Sequence, residues 1–311
     1  MLSRTAVLKA LLTATPILII LHQDNIHCYG KPDCFPAKRH PSLFDVKHNK
    51  DFCLKHGATL RDPPPRLAMV TAQLGIPEKH YQRALRTHAL HNAVHGTGIH
   101  ILCTKIVDDL WNKPAFILDL LLREMEKPES DRLEWLFWVD RDTIILDTCR
   151  SPLSFLPPRE KEFNNHTEQP KDGKPEIHML ATKDWNGLNN GVFLVQVNRW
   201  SVDLFFAILA FRYYRPDVEL TWSEQSAMGF LLEEPQFRDN VAWVPQWWLN
   251  PYPPGDFLVH FAGVGGLEQA RQAMKPWLDV AETAVDGWAA EPRERDLNKE
   301  IRDFWEGRES T

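Results

Sequence analysis

Two aspartates spaced one residue apart, Asp140 and Asp142, follow a run of large apolar residues from Trp135 to Val139. That run reads as a strand buried on both faces, as in a parallel sheet. Side chains at i and i+2 share a face, so both carboxylates are predicted to point the same way at the strand's carboxyl end. In open α/β sheets that end is where ligands bind. Two carboxylates on one face suit a hard divalent cation carrying a diphosphate. A polar turn after a core strand would show the same residues, because turns are rich in Asp.

Three other groups could do chemistry with them. His260 sits in a short apolar strand, Phe257 to Phe261, where its imidazole can face a site at the sheet's end, although lone histidines are usually structural. Two carboxylates, one imidazole and diphosphate oxygens make a mixed O/N set that suits Mn²⁺ better than Mg²⁺. Asn189-Asn190-Gly191 combines amides that can grip sugar hydroxyls with a glycine that permits close backbone approach, and Asn-Gly is equally a strong hairpin-turn signal. Glu224-Gln225 opens a helix that Ser223 or Thr221 can cap; an acid there is commonly dipole complementation.

The elements that must hold these residues alternate along the front half. Arg66 to Ala72 reads as a strand, Pro77 to Gly96 as a helix closed by Gly96, and Ile99 to Thr104 as a strand. Phe116 to Met125 reads as a helix before the Trp135 strand. This alternation predicts an α/β fold with a right-handed, mostly parallel central sheet flanked by helices. The back half continues with strands at Ile177–Thr182, Val192–Val197, Val241–Val244 and Phe257–Phe261, and helices at Trp200–Phe211 and Glu224–Leu232. From Leu267 onward the pattern is helical and increasingly charged. Residues 22–65 show little periodicity and end in Asp62-Pro-Pro-Pro65, a stem and stiff linker by composition.

Bulk properties exclude some partners. With 25% charged and 43% hydrophobic residues the composition is ordinary for a soluble globular protein, and a net charge of −6 leaves no electrostatic footprint for nucleic acid. The twelve tryptophans suit sugar-stacking surfaces or a large core. Arg4 and Lys9 precede the uncharged run Ala10 to Leu21, which reads as a signal-anchor or signal peptide and places the rest of the chain in a lumen. Asn165-His-Thr167 is a glycosylation sequon in a Pro- and Lys-rich loop. Cys28, Cys34 and Cys53 cluster where they can staple the segment after the apolar run, whereas Cys103 and Cys149 read as inert core residues. His91 and His95 have zincin spacing, with His88 on a nearby face, but Asn92 replaces the required glutamate, so they read as surface histidines. Gly263-Val-Gly265-Gly imitates a dinucleotide turn but lacks its third glycine.

Several segments match one family in order: His95-Gly96, Trp111-Asn-Lys113, Trp138-Val-Asp-Arg-Asp-Thr143, Leu188-Asn-Asn-Gly-Val-Phe193 with Trp200-Ser201, Glu224-Gln225, Val244-Pro-Gln246 and His260-Phe-Ala-Gly263. Over roughly residues 66 to 265 the chain resembles the family 34 glycosyltransferases, which include galactosyl- and mannosyltransferases and xyloglucan xylosyltransferases. The resemblance implies a GT-A fold, a UDP- or GDP-sugar donor, a glycan acceptor, a divalent metal (Mn²⁺, or Mg²⁺) and transfer of a hexose, galactose or mannose, with retention. It implies Asp140, Asp142 and His260 as metal ligands, Asn190 and Asp184 beside the donor sugar, and Gln225 and Glu224 near the reacting anomeric carbon. Family members often carry a basic residue shortly after His-Phe-x-Gly to hold the diphosphate. This chain has Val264-Gly265-Gly266, leaving Lys113, Arg141 or the more distant Arg271 for that role. The expected division is a membrane-anchoring or signal segment over 1–21, a stem over 22–65, a GT-A domain over 66–280 and a charged helical tail over 281–311. The expected location is the Golgi membrane, type II with a lumenal domain, or secretion if the first segment is cleaved. A non-catalytic sugar-binding protein of the same fold is the alternative.

Overall fold

A computed structural model describes residues 25–31, 34–158, 175–253, 256–283 and 296–307. The N-terminal apolar run and the Asn165 sequon lie outside the described residues. Among the described residues, no helix is long and apolar enough to cross a membrane.

The centre is a seven-stranded sheet in the order β1-β3-β2-β4-β7-β6-β8. Its strands are β1 (Ile26–Tyr29), β2 (Leu67–Ala72), β3 (Gly98–Leu102), β4 (Trp135–Val139), β6 (Met179–Asp184), β7 (Gly187–Gln196) and β8 (Val241–Trp243). Every neighbouring pair is parallel except β4–β7 and β6–β7, so β7 alone runs against the rest. Alternate side chains of β4 enter opposite layers: Leu136 and Trp138 join one core cluster, and Trp135, Phe137 and Val139 the other. β7 divides likewise, with Phe193 and Val195 on one face and Val192 and Leu194 on the other. Both faces of the central strands are therefore dry, which explains their unbroken apolar runs.

Helices cover both faces. α3 (Asn112–Met125), α4 (Arg199–Tyr214) and α5 (Glu224–Leu232) supply Phe116, Phe205 and Met228 to the first layer. The second layer receives Leu85 and Ala89 from α2 (Lys79–His95) and Trp248 from α7 (Gln246–Leu249). α2 ends at Gly96 in the left-handed region, φ 69°, the conformation its sequence predicts. The short helix α6 (Pro235–Arg238) leads into β8. A separate two-stranded ribbon pairs β5 (Thr143–Ile145) antiparallel to β9 (Leu258–His260), with Thr143 opposite His260. Met274 and Leu278 of α8 (Leu267–Thr283) pack in one small cluster with Ile144 and Val259 of the ribbon.

The ends of the chain differ from the sequence expectation. The 22–65 segment is not simply a stem: β1 pairs with β3 at the sheet edge, and helix α1 (Leu43–Lys55) has a reciprocal Ser42–Asp45 capping box. Cys103 and Cys149 are not inert core thiols. They form the Cys34–Cys103 and Cys53–Cys149 disulfides, which fasten this segment to the domain, while Cys28 is free. At the other end α9 (Leu297–Trp305) buries Leu297 and Ile301, and Glu300 accepts hydrogen bonds from the Trp247 and Trp248 indoles. Residues 297–305 are thus docked against the domain through this helix.

Candidate active site

The chain leaves β4 through a tight turn. The Asp140 amide donates to the Gly191 carbonyl at 2.8 Å, closing the β4–β7 ladder, and the Thr143 amide and hydroxyl both return to the Asp140 carbonyl. Strand β4 ends at Val139, so the turn, not the pleat, brings the two aspartates together. The same turn delivers the chain into β5, whose pairing with β9 sets His260 opposite Thr143. His260 Nε2 then lies 3.6 Å from Asp142 Oδ1. One potential ligand atom from each of Asp140, Asp142 and His260 falls within 4.8 Å of the others.

This donor set fits a divalent cation. His260 is buried, and its Nδ1 is 3.0 Å from Asn250 Oδ1, an acceptor that holds a proton on Nδ1 and leaves Nε2, turned toward Asp142, as the nitrogen that would meet a metal. Asn250 is itself fully buried, donating from Nδ2 to Thr182 Oγ1 and the Val192 carbonyl, both at 2.7 Å. Trp138 Nε1 donates to Asp140 Oδ1 at 2.7 Å and orients that carboxylate. Burial opposes ionisation of Asp142 and His260 alike, yet their mutual attraction prevails and holds Asp142 below, and His260 above, the ordinary range.

Gly191 explains how the imidazole reaches this position. A Cβ on Gly191 would lie 2.1 Å from His260 Cε1. The glycine of Asn189-Asn190-Gly191 therefore makes room for a side chain of the protein, and the tripeptide sits within β7 rather than in a turn. The hairpin turn falls earlier, at Trp185-Asn186, between β6 and Gly187 with φ 99°.

Asp140 and Asp142 line a cleft of about 630 Å³ together with Lys113, Arg141, Asn190, Glu224 and Gln225. Lys113 Nζ lies 3.2 Å from Asp140 Oδ1, 2.8 Å from Asn190 Oδ1 and 3.5 Å from Glu224 Oε1. Burial disfavours its charge, but Asp140 and Glu224 outweigh that and raise its pKa. Glu224 is 3% exposed and its Oε2 has no hydrogen-bond partner. Burial, reinforced by Asp140 and countered by Lys113, pushes its carboxyl above the ordinary range. Gln225 Oε1 accepts from the Asn190 amide at 3.2 Å. Ser223 does not cap α5 with its side chain; it has φ 53° and ψ −122°.

The remaining predicted residues separate. Asp184 is not among the cleft's lining residues; Tyr252 Oη and Asn189 Nδ2 both donate to its Oδ2, at 2.7 and 3.0 Å. Arg271 pairs with Glu268 on the exposed face of helix α8. Arg141 is exposed in the cleft wall, stacked 4.4 Å over the Tyr81 ring.

The histidines of α2 are buried, not on the surface. His88, His91 and His95 Nε2 lie 2.9, 2.8 and 3.0 Å from the carbonyls of Thr143, Arg150 and Thr148, fastening the segment after the aspartates to the helix. Burial lowers all three pKa values, that of His88 to about 4. An unfolded imidazole takes its proton near pH 6.5. These groups therefore favour folding fully above that pH and progressively less as pH falls from 6.5 toward 4. Half-buried His100, lowered to about 3, acts in the same sense, and His260 in the opposite one. The denaturant midpoint is expected to drop between pH 7 and pH 5, with His88 alone contributing on the order of 2 kcal/mol over that window. His88→Gln is expected to flatten the profile; an unchanged profile would refute the neutral staple.

The fold and this cleft define an α/β protein of the GT-A type. A crystal structure of a glycosyltransferase involved in glycosylation of the major capsid of PBCV-1 superimposes with a TM-score of 0.51 at 14% identity, covering 68% of this chain and all of that one. The sequence pattern of the galactosyl transferase GMA12/MNN10 family matches residues 93–269, and the chain belongs to that family. It is 30% identical over 145 residues to the probable alpha-1,6-mannosyltransferase MNN10 of Saccharomyces cerevisiae, spanning 41% of this chain and 36% of the relative. It is 28% identical over 187 residues to the probable alpha-1,2-galactosyltransferase gmh1 of Schizosaccharomyces pombe, spanning 51% of this chain and 54% of the relative.

Proposed function

We propose that this chain is a metal-dependent, retaining α-glycosyltransferase moving galactose or mannose from a UDP- or GDP-sugar to a glycan acceptor. The observation that carries the reading is the meeting of Asp140 and Asp142 with buried His260, the two aspartates sharing one cleft with Glu224 and Gln225. The two yeast relatives, a probable mannosyltransferase and a probable galactosyltransferase, support the same sugars. Asp140, Asp142 and His260 would hold Mn²⁺, or Mg²⁺, which when bound supplies Lewis-acid stabilisation of the leaving diphosphate. Arg141 is the better cation for the diphosphate, because Lys113 is already engaged by two carboxylates. Asn190 binds the donor sugar from the cleft wall, and Asp184 acts through Asn189 rather than directly. Glu224 and Gln225 stabilise positive charge developing at the anomeric carbon. Two disulfides support an oxidising lumen, with the chain held at the Golgi membrane by its N-terminal segment.

The test is hydrolysis and transfer with UDP-galactose and GDP-mannose. Activity is expected with Mn²⁺, to vanish on chelation, and to return with added metal. If neither donor is bound or hydrolysed while a glycan still binds, the transferase reading fails in favour of a sugar-binding protein.

A further inference from the structure

Only two non-glycine residues among those described have backbone φ in the left-handed region, Asp109 at 40° and Ser223 at 53°. Such conformations are costly and persist where the surroundings enforce them, commonly at ligand clamps. Asp109 lines the cleft and Ser223 stands in the chain between its lining residues Trp222 and Glu224; each adjoins an apolar side chain held out in solvent, Leu110 at 60% and Trp222 at 50% exposed, and both of these line the cleft. The turn around Trp222 is fixed at both ends. Its amide donates to Ser226 Oγ at 2.9 Å, and its carbonyl accepts from the Gln225 amide at 3.1 Å. An exposed indole on a rigid turn loses little conformational entropy when it binds a ligand. Two residues away, buried Glu224 presents an oxygen without a partner.

From this arrangement we propose that Trp222, with Leu110 and Asp109, forms the acceptor subsite, the indole stacking on the C–H face of the acceptor sugar while the Asp109 carboxylate accepts hydrogen bonds from its hydroxyl groups. A pyranose presents an apolar face edged by hydroxyl groups, and an aromatic plate beside a carboxylate complements both. Asn190 is buried and Asp140 and Asp142 are partly buried, whereas Leu110 and Trp222 are exposed, so the covered part takes the donor and the exposed rim the acceptor. The assignment rests on the transferase reading for the word acceptor; binding of a sugar at Trp222 is testable without it.

Two measurements on the full chain decide it. In the first, mannose- and galactose-terminated oligosaccharides are titrated by saturation-transfer NMR in the presence of UDP or GDP with Mn²⁺. Trp222→Ala is expected to weaken glycan binding about tenfold or more and Trp222→Phe by less than about threefold, as for loss or trimming of an aromatic anchor. In the second, Trp222→Ala is expected to raise the acceptor KM by the same factor while donor KM and metal-dependent donor hydrolysis stay within about twofold. Equal glycan binding by wild type and Trp222→Ala, or no glycan binding by either, overturns the proposal. So does a loss of UDP and GDP affinity with glycan binding intact, which would assign the indole to the nucleotide. Glycan binding that depends on Trp222 in a chain hydrolysing no donor would uphold the subsite and defeat the transferase reading alone.

Discussion

Asp142→Ala is expected to remove metal-dependent transfer almost completely while leaving the fold in place. Asp142 and His260 face each other at 3.6 Å at the end of the β5–β9 ribbon, so one substitution removes a proposed ligand and the carboxylate that raises the imidazole's pKa. A Lewis acid contributes several kcal/mol to stabilising a leaving diphosphate, and each 1.4 kcal/mol is a factor of ten, so the loss is about a thousandfold or more. The backbone does not need this carboxylate. The turn is closed by the Thr143 amide and hydroxyl on the Asp140 carbonyl, and the Phe261 amide bonds the Asp142 carbonyl. The thermal midpoint without metal is therefore expected to change by only a few degrees. Asp142→Asn should behave likewise, since a neutral amide keeps the shape but not the charge. Mn²⁺ titration by calorimetry beside donor-hydrolysis rates checks both; full metal affinity in either variant would remove Asp142 from the ligand set.

The parts of this site that were legible in the sequence are those whose signal is local. The abrupt end of Trp135–Val139 in two aspartates marks a buried strand emerging at a ligand edge, because five consecutive apolar residues need cover on both faces. The mechanism inferred for the pair was different, since a turn rather than a pleat brings them together. Asn250 was not legible. An Asn before Pro251 reads as a turn, and its role appears only when β6, β7 and β9 bring Thr182, Val192 and His260 around it. His88, His91 and His95 did carry a signal in their shared helical face, but a polar face reads as solvated unless each imidazole finds a carbonyl. Those carbonyls lie more than fifty residues away in sequence. The edge strand β1 escaped for another reason. Four residues, three half-covered and one exposed, give too short a pattern to show a period, and its place beside β3 is reinforced by a disulfide whose partners lie 69 residues apart.

Gly191→Ala tests the same centre from behind and separates packing from charge. No left-handed backbone is involved; the constraint is the 2.1 Å that would separate the new methyl from His260 Cε1, with Nε2 and Nδ1 at 2.8 and 2.9 Å. The imidazole cannot simply yield. It is buried, its Nδ1 is tied to Asn250, and Asn250 is tied to Thr182 and Val192 in the sheet. Gly191 cannot retreat either, because its carbonyl accepts the Asp140 amide and its strand is paired on both sides. Overpacking of this kind costs about 1–3 kcal/mol. Forcing the imidazole off Asn250 adds an unsatisfied buried amide oxygen, about 1–3 kcal/mol more. The expected outcome is a destabilised but folded protein whose Mn²⁺ affinity falls at least about tenfold, as when the shell orienting a metal-bound histidine is disturbed. His260→Ala in the Gly191→Ala background discriminates the cause. Removing the ring removes the clash but leaves Asn250 Oδ1 without its partner, so the double variant should regain the overpacking part of the lost stability while still binding Mn²⁺ poorly. Recovery of neither, or of both, would mean that Gly191 does not act by making room for His260.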